Sequence, residues 1–227
     1  MTKNFFVKFG VTLVSVSVFA ASAQADLTYW HVTIDVSSVG SDLELEFQLW
    51  DIDWVLHNTY VLVDNVKLAN GGVIKSINFE DGTLDDFVVD PWNPDSVNVV
   101  PGSVDGTGNY MLQIDEDPVA WPTITWCDFS NPGATSLSFD FFFNSTGDPA
   151  LGPDELVVRL LDTGANPVVA GLTGLGDVLR YNAFSEIDVS DEVAAVLIPA
   201  PGALLLGLIG TVVVGLWHRS EQRSQRL

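Results

Sequence analysis

The chain has a single cysteine, Cys127, in 227 residues. No intramolecular disulfide can form, so a packed core must hold the fold without covalent help. Within TITWCD the cysteine has apolar, strand-like neighbours and reads as an inert buried thiol. Histidine is as scarce: before the C-terminal segment there are only His31 and His57, too isolated for the usual histidine metal clusters. The chain lacks a G-x-S-x-G turn, a plausible cysteine–histidine nucleophile pair and a D-x-[DN]-x-[DN]-G loop. These absences argue against hydrolytic or thiol catalysis and against an EF-hand. Carboxylates are so frequent that no pair stands out as a glycosidase dyad, which leaves a glycoside hydrolase as a distant third reading. Positive charge is the other shortage. Between residues 26 and 195 only Lys67, Lys75, Arg159 and Arg180 face 29 acidic residues, a formal charge of −25. Such a field repels phosphate backbones and excludes nucleic acid as a partner. Disorder is countered by an apolar content of 47%.

Long hydrophobic runs occur only at the ends. The chain opens with Lys3 and Lys8, continues with an apolar run from Val11 to Ala21, and then carries Ala23-Gln24-Ala25. A basic start, a short apolar stretch and an A-x-A site form a secretory signal peptide over residues 1–25, helical while it is attached, so the mature chain begins at Asp26. No L-x-x-C precedes the cleavage point, which argues against a lipoprotein anchor. At the other end the apolar run from Val193 to Trp217 is broken by Pro199 and Pro201. A transmembrane helix can run unbroken from Gly202 to Trp217, about 24 Å against roughly 30 Å of hydrocarbon. His218 and Arg219 can snorkel to close that gap. Arg223 and Arg226 then mark a cytoplasmic flank, which leaves the body of the chain exported.

Pro199-Ala200-Pro201, the glycine-laced apolar span and the arginine-bearing end resemble the PEP-CTERM sorting signal of bacterial exported proteins. That resemblance covers about the last thirty residues and implies recognition and processing by a membrane protease of the exosortase kind. Two features depart from the family pattern: Ala200 replaces its usual glutamate, and the arginine cluster is diluted to HRSEQRSQR. The resemblance implies sorting to the membrane, cell surface or extracellular matrix, and no particular activity. It divides the chain into a signal peptide (1–25), an acidic ectodomain (26–195) and a sorting and transmembrane segment (196–227).

Within the ectodomain, period-2 alternation dominates. In DLELEFQLW, Leu43, Leu45, Phe47 and Leu49 share one face and Glu44, Glu46 and Gln48 the other. TSLSFDFFF repeats the pattern, with Leu137, Phe139, Phe141 and Phe143 inward. Further short strands are expected in HVTIDV, TYVLVDNV, VIKSINFE, DFVVD, SVNVV, YMLQI, TITWC, ELVVRLL and DVLRYN, separated by Gly, Asn, Asp and Pro turns. No long amphipathic helix precedes the tail. The expected fold is all-β, a two-sheet sandwich of jelly-roll type. Residues 31–39 and 184–193 share Ile-Asp-Val-Ser, four common letters that coincidence also explains.

NFEDGTLDDF (78–87) looks like the opening strand of carbohydrate-binding, galactose-binding-like jelly rolls, and YVLVDNVKL (60–68) like their closing strand. Here the closing element comes first. Either the sandwich is circularly permuted, or residues 26–69 are the remnant of a preceding domain. The first is favoured, because 44 residues cannot close a core alone.

The same resemblance implies a structural Ca²⁺ between Glu80 and Asp64, set against the bland alternative of solvated carboxylates. Asp51, Asp53 and Asp115 to Asp117 are weaker ligand candidates. Trp54 and Trp92 lie in loop-like contexts and are candidate platforms for sugar rings, whereas Trp126, inside a strand, is expected to be buried. The favoured reading is a non-enzymatic exported surface or matrix protein whose neighbours are membrane and extracellular polysaccharide. A carbohydrate-binding module is the alternative.

Overall fold

The computed structural model describes residues 29–51, 59–102, 110–116, 122–145, 154–169, 171–182, 184–185 and 187–198. The expected signal-cleavage and sorting residues Ala23, Ala25, Pro199, Ala200 and Pro201 lie outside these, as do Trp54, Asp53 and Asp117. In chain order the strands are β1 (Tyr29–Asp35), β2 (Leu43–Trp50), β3 (Tyr60–Ala69), β4 (Val73–Ile77), β5 (Phe87–Val89), β6 (Val97–Pro101), β7 (Tyr110–Asp115), β8 (Thr123–Phe129), β9 (Ser136–Asn144), β10 (Glu155–Leu161), β11 (Asp177–Tyr181), β12 (Asp188–Val189) and β13 (Val193–Ile198).

They form two sheets. Sheet A runs β13-β1-β9-β3-β7-β6, with β4 beside the far half of β3; sheet B runs β12-β11-β10-β2-β8-β5. Adjacent strands in both sheets are antiparallel. The described chain is therefore all-β, as the alternation in the sequence predicts. The apolar sets of β2 and β9 bury completely or nearly so, from Leu43, Leu45, Phe47 and Leu49 on one sheet to Leu137, Phe139, Phe141 and Phe143 on the other. The two faces meet where Phe47 stands edge-on to Phe139 at 5.1 Å, and where Tyr181 of β11 packs on Phe141 and Phe143. Such pairs add about 0.5–1.5 kcal/mol each beyond the area they bury.

Residues 29–69 do not sit apart from the rest. β1 lies between β13 and β9, β2 between β10 and β8, and β3 between β9 and the β7–β4 pair. All three are interior strands, each bonded on both edges to segments that come later in the chain.

Three local features depart from the sequence reading. The strand expected over 73–80 stops at Ile77, because Phe79 adopts a left-handed backbone (φ 57°) that turns its ring into the core against Phe87, 5.6 Å away. Trp126 is only half-buried: Thr125 and Cys127 take the inward positions on β8, so the indole faces out. The run VAAVLI, which reads as the start of the tail, is instead β13, paired with β1 along its whole length.

On the outer face of sheet B the two arginines of the described residues are absorbed by acid. Asp177, 2% exposed, accepts from Arg159 Nε at 3.1 Å and Arg180 Nη2 at 2.7 Å. Arg159 also reaches Glu46, and Arg180 reaches Glu155. Gly176 closes the turn beneath them at φ 85°, where a Cβ would stand 2.9 Å from Leu161 and 3.0 Å from the Leu160 carbonyl.

Candidate functional site

Register assigns the described strand ends to two poles. Tyr29 pairs with Ile198 and Phe142, and Tyr60 with Asn144 and Asp115. In sheet B, Trp50 pairs with Glu155 and Leu49 with Thr123. The hydroxyl of Thr59 donates to Asp154, and Thr123 Oγ1 donates to the Asp115 carbonyl at 2.9 Å, so these ends of the two sheets coincide. This is the tail pole, since β13 delivers the chain to Pro199 there. The opposite pole carries the β3–β4 turn at Asn70 to Gly72 and the start of β2.

Trp92, a candidate sugar platform, stands at the tail pole in the turn between β5 and β6 and is 84% exposed. The turn that presents it is firmly built. The Trp92 amide donates to Asp90 Oδ1 at 2.9 Å, and the Asn93 amide donates to the Asp90 carbonyl. The side chain of Asn93, 2% exposed, points inward to Thr123 Oγ1 and the Pro122 carbonyl. A rigid turn with a solvent-facing indole leaves that ring free for an external partner. Trp50 instead donates its indole N–H to Gln48.

On the outer face of sheet A a polar row crosses the strands. Asp64 of β3 lies directly opposite Asp140 of β9, and Asp140 lies opposite His31 of β1. His31 Nδ1 is 2.5 Å from Asp140 Oδ1, and Thr33 Oγ1 is 3.3 Å from His31 Nε2. Asn65 Nδ2 donates to the other Asp140 oxygen at 2.9 Å. Asn65 can do so because β3 bulges between Asp64 and Lys67 and its backbone turns left-handed there (φ 55°). Asp64 and Asp140, 1% and 5% exposed, are register neighbours on this face. Glu80 is half-buried in the turn after β4; since Ile77 pairs with Val66, that turn leaves β3 near Asp64. Among the described residues no three of His, Cys, Asp and Glu stand together in a metal-binding group.

Of the weaker acidic candidates, Asp51, Asp115 and Glu116 stand at the tail pole, where Asp154 joins them. Asp51 and Asp154 flank the Trp50–Glu155 pair, and the Glu116 amide bonds the Thr59 carbonyl. All three side chains are buried, Asp154 completely, and burial pushes the neighbouring Asp115 carboxyl up. Sequence reasoning passed over His31 and Asp140 because 109 residues separate them, and over Asp154 because nothing around it is periodic.

At the opposite pole a cleft of about 380 Å³ is lined by Asp42, Ile74, Lys75, Asp128, Phe129 and Pro132. Its cation is spoken for: Lys75 Nζ lies 2.7 Å from Asp86 and 5.0 Å over the Phe129 ring. Cys127, behind Phe129 on β8, is wholly buried and its thiol is pushed up to about 12 by that burial.

No family model, no curated protein and no solved structure matches the chain.

Proposed function

We propose that the chain is an exported, non-enzymatic surface or matrix protein. In this reading an acidic β-sandwich of jelly-roll type crosses the inner membrane behind a signal peptide and is sorted through its Pro199-Ala200-Pro201 tail by an exosortase-like protease. The observation that carries the proposal is the pairing of Tyr29 with Ile198. The two ends of the described sandwich, Tyr29 and Ile198, lie side by side, three residues after the expected mature start and one before the expected sorting motif, which suits a compact module tethered at one pole. The interior positions of β1, β2 and β3 support one permuted domain over a remnant and a domain. The test is the mass and location of the protein recovered from cells. A membrane or extracellular species beginning at Asp26 is expected; a full-length species dissolved in the cytosol would contradict the proposal.

Trp92 favours a second reading, a carbohydrate-binding module, because an 84% exposed indole on a rigid turn fits a sugar platform. Binding to polysaccharide, lost in Trp92→Ala, would support it, and absence of binding to any polysaccharide would count against it. The companion Ca²⁺ at Asp64 and Glu80 is tested by melting with and without EDTA: a bound structural ion requires a lower Tm in chelator, and an unchanged midpoint removes it.

A further inference from the structure

The tail pole is distinguished by more than the departing chain. Trp92 and Phe184, the exposed aromatic residues among those described, both lie there, at 84% and 50% exposure. Phe184 sits in the turn that follows Tyr181 at the end of β11. Leu197, 53% exposed, is the penultimate residue of β13, next to the same edge. On the outer face of sheet A, Tyr29 and Tyr60 flank Phe142 at 5.3 and 5.9 Å, both half-buried. Exposed apolar residues at the opposite pole, Val73, Ile74 and Leu175, are all aliphatic. Tryptophan, tyrosine, leucine and phenylalanine gathered at one end of the strands match the composition of a membrane–water interface, where an amphipathic ring places its apolar body inward and its polar edge in water.

We propose that the tail pole of the sandwich seats on the bilayer that holds the tail, with Trp92, Phe184 and Leu197 entering the headgroup region and Tyr29 and Tyr60 at its border. This rests on the reading of residues 202–217 as a membrane anchor. Leu197 is five residues from Gly202, the first residue of that apolar span, so an inserted tail keeps this rim within a few ångströms to about 17 Å of the headgroups. The occupant is therefore lipid and not a soluble ligand. Asp95 and Asp188 are exposed at the same pole, so charge opposes the contact on an anionic surface and the attraction comes from apolar burial. Seating of this kind turns Trp92 away from the exterior, where a polysaccharide would be met.

The test uses the exported chain, tail included, reconstituted in phosphatidylcholine vesicles. Trp92→Cys, Phe184→Cys and, at the far pole about 26 Å along the strands, Val73→Cys each receive an environment-sensitive fluorophore. Cys127 stays unlabelled because it is buried with its thiol at about 12. A headgroup nitroxide should quench positions 92 and 184 several-fold more than position 73, and replacing half the lipid by phosphatidylglycerol should weaken that difference. Equal quenching at the three positions in chain that floats with the vesicles overturns the seating while leaving the anchor intact. Failure to float removes the anchor reading and the seating with it. Protection of positions 92 and 184 by a soluble β-glucan, with equal lipid quenching at all three, assigns the aromatics to sugar and overturns the proposal.

Discussion

At the scale of single residues, the charge that matters most is the one the chain has least of. Arg159 and Arg180 converge on Asp177 from neighbouring strands, and Thr173 adds a hydroxyl at 2.7 Å. Burial alone would raise the Asp177 carboxyl; the Arg180 and Thr173 hydrogen bonds and the two guanidinium charges outweigh it and hold it below its ordinary value. Asp177→Asn should cost about 2–3 kcal/mol in urea unfolding, less than a fully buried pair because both arginines are partly exposed. Cys127 yields a complementary outcome: no alkylation of the native protein at neutral pH, and full alkylation in denaturant, read by mass. Cys127 could be anticipated from its TITWCD context, since alternation makes it inward. Asp177 could not: Arg180 and Thr173 are near it in sequence, but only the register of β10 on β11 brings Arg159 over and shows that the carboxylate is buried among them.

At the scale of elements, legibility followed the period. β2 alternates strictly and β9 does so apart from Phe142, and each expected inward residue is buried. Phe139→Ala, which removes the ring that Phe47 meets, should lower stability by about 3–5 kcal/mol in the same unfolding assay. β13 was hidden for the opposite reason. VAAVLI lacks alternation, and Val196 and Leu197 at 61% and 53% exposure show that neither face of this strand is fully covered. It is an edge strand bonded through sheet A to β1 alone. Amides of β13 should therefore exchange with deuterium faster than those of β9, which is bonded on both sides. The His31–Asp140–Asn65 row belongs to this scale too. It exists because β1, β9 and the bulged β3 are neighbours, an order that no local pattern encodes.

At the scale of the whole molecule, acidity sets the response to pH. Burial, the first cause in each case, pushes Glu44, Glu155 and Asp115 up, with Asp128 beside Glu44 adding to it. A carboxyl raised in the folded state binds its proton earlier than in the unfolded chain, so stability grows as pH falls toward the ordinary values, 4.5 for glutamate and 3.8 for aspartate. Asp177 works the other way: its contribution is present above 3.8 and is lost as pH drops through its lowered value. Falling net charge reinforces the first trend. Tm should rise from pH 7.5 to about pH 5 and fall again below about pH 3.5; a Tm that declines steadily from neutral pH would contradict this account.

The interleaving of early and late strands sets the timetable of folding. When β1 and β2 emerge, their edges have nothing to bond: the partners of β1 are residues 136–144 and 193–198, and those of β2 are 123–129 and 155–161. Only the β3–β4 and β6–β7 pairs join strands consecutive in the chain on sheet A. A topology this rich in distant pairings has a high contact order and folds in milliseconds to seconds. β13, the last strand in the chain, can pair with β1 only after every other strand has been made.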